Sequence, residues 1–215
     1  IFSLQNKRVI MGINNSQLAG QPQATVGSTD DNAKAVVKPR HPESRLQSDW
    51  LFLYEKLSSN QWYSSDYAYK TSGWLNVHTN IRKRQRILKQ LTEEHLMGAL
   101  NWENYRSQVL QRISMHVLKL HQHHSVEDRG FFPEFVSSYP QLKRGFEILE
   151  NDHVKLDALL DELLGLNDEL AKAEQEDKFL VERLHKNLVA GTDFLSQHLT
   201  DEEDLVVPIL GLRDG

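Results

Sequence analysis

Apolar residues recur at helical spacing in four long segments of the chain, and polar residues fill the opposite faces. The spacing predicts helices over about 73–92, about 101–128 and about 176–204, with a further one that begins near Pro140 and carries apolar residues to Leu163. Pro140 suits a first helical turn because its missing N–H has no partner to lose there. The pattern therefore predicts an all-α protein that closes as an up-down-up-down four-helix bundle.

The chain before the first long helix divides into two segments of different composition. Residues 1–48 are rich in Gln, Asn, Ser, Thr, Gly and Pro without a helical or strand period, which predicts an irregular, extended or partly ordered arm. Residues 49–71 are rich in Trp and Tyr, and we expect them to pack on one end of the bundle rather than to form a binding platform. The bundle itself is expected to cover residues 72–210.

The apolar stripes contain a set of His and Glu residues that repeats at an offset of 75 residues. Each half has a lone His, then 45 residues later a His-x-x-x-Glu pair, and a Pro six residues after the Glu. Apolar positions such as Ile81 and Leu156 keep the same offset, which suggests two helix pairs related by an approximate two-fold axis. The repeated polar residues are His78, His123, Glu127, His153, His198 and Glu202.

Four imidazoles and two carboxylates on inward faces require a compensating positive charge. A His and a Glu four residues apart lie on one face of a helix, one turn from each other. Burying a carboxylate without a partner costs several kcal/mol or forces it to take up a proton. The sequence therefore predicts a site for two metal ions in the bundle core and disfavours a metal-free bundle with buried polar residues.

Composition narrows the chemistry of this site. The chain has 215 residues, 39% hydrophobic and 26% charged, which fits one core with an appended arm. Cysteine is absent, so thiolate sites, iron–sulfur clusters and disulfides are excluded, and nitrogen and oxygen ligands suit Fe, Mn or Zn. The net charge of −5 without a basic stripe indicates no nucleic-acid partner.

No segment reaches the roughly 18 apolar residues that a membrane span needs, so we expect no membrane partner. The first residues lack the basic and apolar regions of a signal peptide. We therefore expect a cytoplasmic protein, with a removed leader left open because residue 1 is not Met.

Four motifs in this order resemble the hemerythrin family, specifically the HHE cation-binding domain, over about residues 72–210. The resemblance implies a four-helix bundle with a non-haem di-iron centre. It also implies that Glu127 and Glu202 bridge the two ions. If they do, the count of ligands leads us to expect a bridging oxo or hydroxo group as well. The motifs are Trp74-Leu-Asn-Val-His78, His123-His-Ser-Val-Glu127 through Pro133, Glu150-Asn-Asp-His153 through Asp157, and His198-Leu-Thr-Asp-Glu202 through Pro208.

The chain departs from the oxygen-carrying members of that family at two positions. Those members have a second His four residues after the third-helix His, and this chain has Asp157 there. Asp157 is expected either to supply an oxygen ligand or, more favoured, to pair with Arg82, its counterpart at the 75-residue offset. The carriers' carboxylate spacing would select Glu203, whereas the internal repeat favours Glu202. Both departures weaken the case for a reversible O2 carrier.

The remaining histidines have structural interpretations. His116 lies on the ligand-bearing face and is expected to be a hydrogen-bonded core residue, with a role as an extra ligand as the alternative. His124 is turned about 100° from His123 and is expected at the boundary of the core, although it could reach an ion in some rotamers. The histidines expected on the surface or pointing away from the stripe are His41, His95, His121 and His185.

The function expected from this site is binding or sensing of a small molecule. Two ions with two imidazoles and two bridging carboxylates each would keep a position open for O2, NO or peroxide. The protein would report or buffer such a molecule, or iron itself. Alternatives are a di-iron oxidoreductase that turns over peroxide or NO, and iron storage or detoxification. No segment of the sequence identifies a protein partner.

Overall fold

The computed structural model describes residues 36–213. The part of the predicted N-terminal arm before residue 36 therefore lies outside the described residues. Within residues 36–213 the secondary structure is helical and contains no strand, which confirms the all-α class. The helices are α1 Phe52–Lys56, α2 Ala68–Leu96, α3 Trp102–Val126, α4 Phe132–Ser138, α5 Lys143–Lys172 and α6 Lys178–Leu212, with 3₁₀ turns at Ser48–Leu51 and Pro140–Leu142.

Local chemistry explains where the long helices begin and end. The side chain of Asn101 accepts the backbone N–H of Asn104 at 2.9 Å and caps the start of α3. Asp177 accepts the N–H of Leu180 at 3.1 Å in the same way at the start of α6. Gly98, with φ of +76°, follows the end of α2 in the left-handed conformation that glycine adopts without steric cost.

The four long helices surround a common apolar core. Helix α2 contacts α3 and α6, and α5 contacts the same two helices. Side chains such as Ile81, Val109, Leu156 and Leu188 are almost fully buried between them. Full burial of each such side chain contributes about 1.5–3 kcal/mol, so the interior leucines and isoleucines stabilise the arrangement that positions the polar residues.

The aromatic-rich segment contacts one end of this core. Leu51 belongs to the same buried cluster as Phe146 and Ile209, whereas Trp62 is buried against Leu75 and Val207. These contacts hold the chain before α2 against the last two turns of α6. None of the helices described in residues 36–213 combines the length and apolar character that crossing a membrane requires.

The two repeated prolines lie in different local structures. After α3 the chain forms a π-helical turn over Glu127–Phe131, and Pro133 lies in the first turn of α4. Helix α6, by contrast, continues past the predicted end near residue 204 and includes Pro208 in its interior. π turns are often found at functional sites because the extra residue re-aims side chains.

Candidate metal centre

One group of potential ligands comes from three helices and the π turn. His78 lies on α2, His123 near the end of α3, Glu127 at the first position of the π turn and Glu202 on α6. One ligand atom from each lies within 4.8 Å of the others. His78, Glu127 and Glu202 are buried, and His123 is 10% exposed. The apolar periodicity that predicted inward placement of these four residues thus brings them together.

A second group consists of three imidazoles. His124 on α3, His153 on α5 and His198 on α6 offer nitrogen atoms that lie within 4.8 Å of one another, and all three side chains are buried. The rings of His124 and His153 are stacked with their centroids 4.1 Å apart. The structure therefore places five imidazoles, rather than the four expected from sequence, around the same interior space.

The two glutamates reach from the first group to the second. Glu127 Oε1 lies 2.9 Å from His123 Nδ1, while its Oε2 lies 3.6 Å from His153 Nε2. Glu202 Oε1 lies 3.0 Å from His78 Nε2, and its Oε2 lies 3.4 Å from His198 Nε2. Each carboxylate thus directs one oxygen toward each group, as a carboxylate shared between two ions would.

Many ligand atoms at this site have no hydrogen bond of normal geometry. Buried polar atoms are otherwise almost always paired, because each unpaired atom loses its interactions with water without replacement. A pair of cations would satisfy these atoms together, so the donor set fits a dinuclear metal centre. The unpaired atoms are Nε2 of His78, His123, His124, His153 and His198, both carboxylate oxygens of Glu127, and Oε2 of Glu202.

The outward nitrogen of His78 is held by a carboxylate. Its Nδ1 lies 3.0 Å from Glu203 Oε1, and Arg82 Nη1 donates to the same oxygen at 2.6 Å. Burial favours the protonated form of Glu203, but hydrogen bonds from His78 and Arg82 outweigh it and lower the pKa of Glu203 to about 2. Because the carboxylate of Glu203 accepts here, Nδ1 of His78 carries a hydrogen and Nε2 is the nitrogen left to bind a metal, which would displace any proton held there.

The same arrangement occurs behind other imidazoles. His153 Nδ1 lies 2.7 Å from Asp128 Oδ1, and His124 Nδ1 lies 3.2 Å from Asp157 Oδ1. Such outer carboxylates fix the orientation and tautomer of a metal-binding imidazole. The orientation of the outer nitrogens therefore also points the Nε2 atoms toward the interior.

The electrostatics of the metal-free site favour neutral imidazoles at most positions. Burial lowers the pKa of His123 and His153 to about 3, although the charge of Glu202 acts in the opposite direction. Burial works against the charged form of His78 too, but Glu202 and Glu203 raise its pKa to about 9. Burial and the neighbouring Glu202 raise the pKa of Glu127 well above its usual value. Without a cation, the two inner glutamates cannot both hold a full charge at low cost.

His124 is the residue that the sequence interpretation placed wrongly. It was expected at the boundary of the core, yet it is 3% exposed. The buried positions on α3 include Val117 and Leu120 as well as His116, so the inward face is wide enough for two neighbouring histidines. The i, i+4 spacing of Leu120 and His124 indicates an inward position for His124. The internal repeat favoured its neighbour His123 instead.

Other expectations also need correction. Arg82 pairs with Glu203, and Asp157 pairs with His124, so two different pairs take the place of the expected Arg82–Asp157 ion pair. His116 is buried as expected, but neither ring nitrogen has a hydrogen-bond partner among the described residues.

His95, expected on the surface, is in fact buried. It stacks on Tyr105, and its Nδ1 lies 2.8 Å from the carbonyl oxygen of Leu100. Glu202, favoured over Glu203, faces both groups, while Glu203 lies behind His78.

The comparison with known protein families agrees with this geometry. Residues 70–210 match the hemerythrin HHE cation binding domain. Because the match covers most of the chain and contains all seven residues of the two groups, the chain belongs to this family of metal-cation-binding domains. No curated protein and no solved structure matched the chain.

Proposed function

We propose that the protein is a dinuclear, non-haem iron protein that binds or senses O2, NO or peroxide at the interior of an up-down-up-down four-helix bundle. The observation that carries the proposal is the set of unpaired Nε2 atoms and carboxylate oxygens buried between α2, α3, α5 and α6. Nitrogen and carboxylate ligands in this number suit iron, with manganese or zinc as the competing ions.

The ligand sets of the two ions differ in this proposal. His78 and His123 would hold one ion, while His124, His153 and His198 would hold the other. Glu127 and Glu202 would be shared, because each directs its two oxygens toward different groups. The ion with two imidazoles then has fewer protein ligands and is the natural place for an exogenous molecule.

The surroundings of the two-imidazole group suit a small uncharged guest. Trp74 donates its indole N–H to Glu202 Oε1 at 2.8 Å and packs edge-on against Phe131. Phe131 stacks in turn on the fully buried Phe135, and Trp74 packs on the apolar cluster that contains Leu75. Apolar walls exclude water and ions, whereas diatomic molecules enter such surroundings readily. An iron pair would supply Lewis acidity and redox chemistry there.

Metal analysis combined with optical spectroscopy tests the proposal. Protein purified after iron-replete growth should contain close to two equivalents of iron per chain and change its spectrum when O2, NO or peroxide is added. Correctly folded protein that stays metal-free when supplied with iron would contradict the dinuclear site. Steady-state consumption of peroxide or NO with an added reductant would support an oxidoreductase function instead of binding or sensing.

A further inference from the structure

A segment before the matched domain contacts the carboxylates behind the metal ligands. We call residues 36–47 the strap; it has no regular helix and lies against α6. The backbone N–H of Arg40 donates to Asp204 Oδ2 at 2.8 Å, and its guanidinium also bonds Asp204 Oδ1. Its Nη2 donates to Glu203 Oε2 at 2.8 Å. Asp204 is almost fully buried, so Arg40 supplies the charge that compensates it.

Glu203 connects the strap to a proposed metal ligand. Its Oε2 accepts from Arg40, while its Oε1 lies 3.0 Å from His78 Nδ1. Arg82 also donates to Oε1, so the carboxylate is held from two sides by two different elements. The guanidinium of Arg40 is itself fixed over the ring of Trp62, 4.5 Å from its centroid. Arg40 thus limits the orientations that Glu203, and through it the imidazole of His78, can adopt.

The strap makes a second contact behind the three-imidazole group. The Arg45 guanidinium donates to Asp152 Oδ1. The other oxygen of this buried carboxylate lies 4.0 Å from His198 Nδ1, beyond hydrogen-bond distance. Arg45 therefore holds a carboxylate that makes no hydrogen bond to His198, whereas the carboxylate held by Arg40 lies within hydrogen-bond distance of His78.

We propose that the strap is a functional part of the metal centre, in which Arg40 is a positioning residue for His78. The inference rests on the proposed metal site, although the strap itself lies outside the residues that match the family. The chemistry is that of an outer partner. A fixed carboxylate holds the outer N–H of the imidazole, and the arginine holds the carboxylate.

Metal release to an excess of chelator tests this proposal in the full chain loaded with iron. Replacing an outer partner typically costs about 10–100-fold in metal affinity, so Arg40→Gln should release iron about tenfold faster or more. Arg40→Lys should restore part of the retention, and Arg40→Gln should alter the optical spectrum. Lys38→Gln removes a charge from the same segment at an exposed position and should leave release unchanged.

A double variant separates positioning from general stabilisation. If Arg40 acts through Glu203, Arg40→Gln combined with Glu203→Gln should release iron no faster than Glu203→Gln alone. Multiplied effects of the two substitutions, or an Arg40→Gln effect seen only in thermal unfolding of metal-free protein, would overturn the inference. Arg45→Gln is a matched comparison within the strap. Because Asp152 makes no hydrogen bond to His198 and keeps Lys155 at 3.7 Å, this variant should release iron more slowly than Arg40→Gln.

The number of ions bound by the wild-type protein distinguishes a failure of this inference from a failure of the proposed function. Failure of the wild type to bind two ions would remove the proposed function and the inference together. Two bound ions in the wild type, with unchanged release from Arg40→Gln, would remove the inference alone.

Discussion

The two halves of the molecule share one pattern of ligands but use it differently. The half formed by α2 and α3 and the half formed by α5 and α6 each provide a lone His and a His-x-x-x-Glu pair. His124 breaks this equivalence, because its counterpart 75 residues later is Leu199, a buried apolar residue. A single substitution between the halves thus turns a symmetric set of four imidazoles into one group of two and one group of three.

The outer partners of the imidazoles are exchanged between the halves. His78 of the first half contacts Glu203 of the second, and His153 of the second half contacts Asp128 of the first. Glu203 and Asp128 are themselves counterparts at the 75-residue offset. The internal repeat therefore extends beyond the proposed ligands to the groups that orient them. Both the proposed ligands and the groups that orient them therefore come from the two halves together.

Other counterparts have diverged for packing reasons. His116 fills the interior of the first half, where the second half has Gly191. A Cβ at Gly191 would lie 3.2 Å from Gln85 Nε2, which donates to the carbonyl oxygen of Leu188 at 2.9 Å. Glycine at this position therefore leaves room for an amide that crosses between helices.

Removing a shared carboxylate should have the largest effect, since it takes a ligand from both groups. Glu127→Ala and Glu202→Ala are each expected to lose nearly all bound metal, measured as equivalents of iron per chain. Glu203→Ala should retain more metal, because Glu203 lies behind His78 rather than between the groups. Equal losses in the three variants, or loss in Glu203→Ala alone, would overturn the assignment of the carboxylates.

Restoring symmetry between the halves should selectively weaken the binding of one ion. His124→Leu gives the first half the residue of the second and removes one imidazole from the three-imidazole group. We expect binding of one ion to weaken beyond the roughly 10–100-fold typical of an outer partner, while the other ion is retained. Metal titration followed by optical spectroscopy measures both. His121→Leu alters a more exposed residue that also lies near Asp157 and serves as the matched control. A wild-type titration curve for His124→Leu would contradict a role for this imidazole.

The exchanged outer partners should be unequal in strength. The Glu203 side chain is 6% exposed and that of Asp128 is 39% exposed, so water screens the second contact more than the first. Glu203→Gln should therefore speed metal release by about 10–100-fold, and Asp128→Asn by less than about tenfold. Release rates measured side by side under one chelator concentration give the ratio. A larger effect of Asp128→Asn would show that exposure does not rank these contacts.

The effect expected from His116 does not involve metal binding and concerns the stability of the metal-free protein. Burial and the charge of Arg84 lower the pKa of His116 to about 4, against about 6.5 in the unfolded chain. As pH falls from 6.5 toward 4, the unfolded state binds a proton that the folded state does not, so this group lowers the free energy of unfolding. His116→Leu should reduce the stability loss between pH 7 and pH 5 by about 2 kcal/mol in denaturant titrations. If His116→Leu loses as much stability as the wild type between pH 7 and pH 5, other groups cause the acid sensitivity.

Much of the fold and site could be predicted from the sequence because both follow from helical periodicity. Inward apolar positions recur every three or four residues, so His78, His153 and Glu202 were predicted on interior faces from spacing alone. The 75-residue repeat then required the two halves to use equivalent faces. The match over residues 70–210 confirms the family to which these motifs pointed.

Tertiary structure decided the features that depend on where neighbouring helices lie. Which imidazoles His124 joins depends on α5, since His153 supplies the ring on which it stacks. Likewise the partner of Arg82 is Glu203 rather than Asp157, and the strap meets Asp204 across 164 positions of sequence. Periodicity fixes the direction of a side chain relative to its own helix axis. The rotation and spacing of separate helices are set by side-chain packing, and that decides which side chains meet.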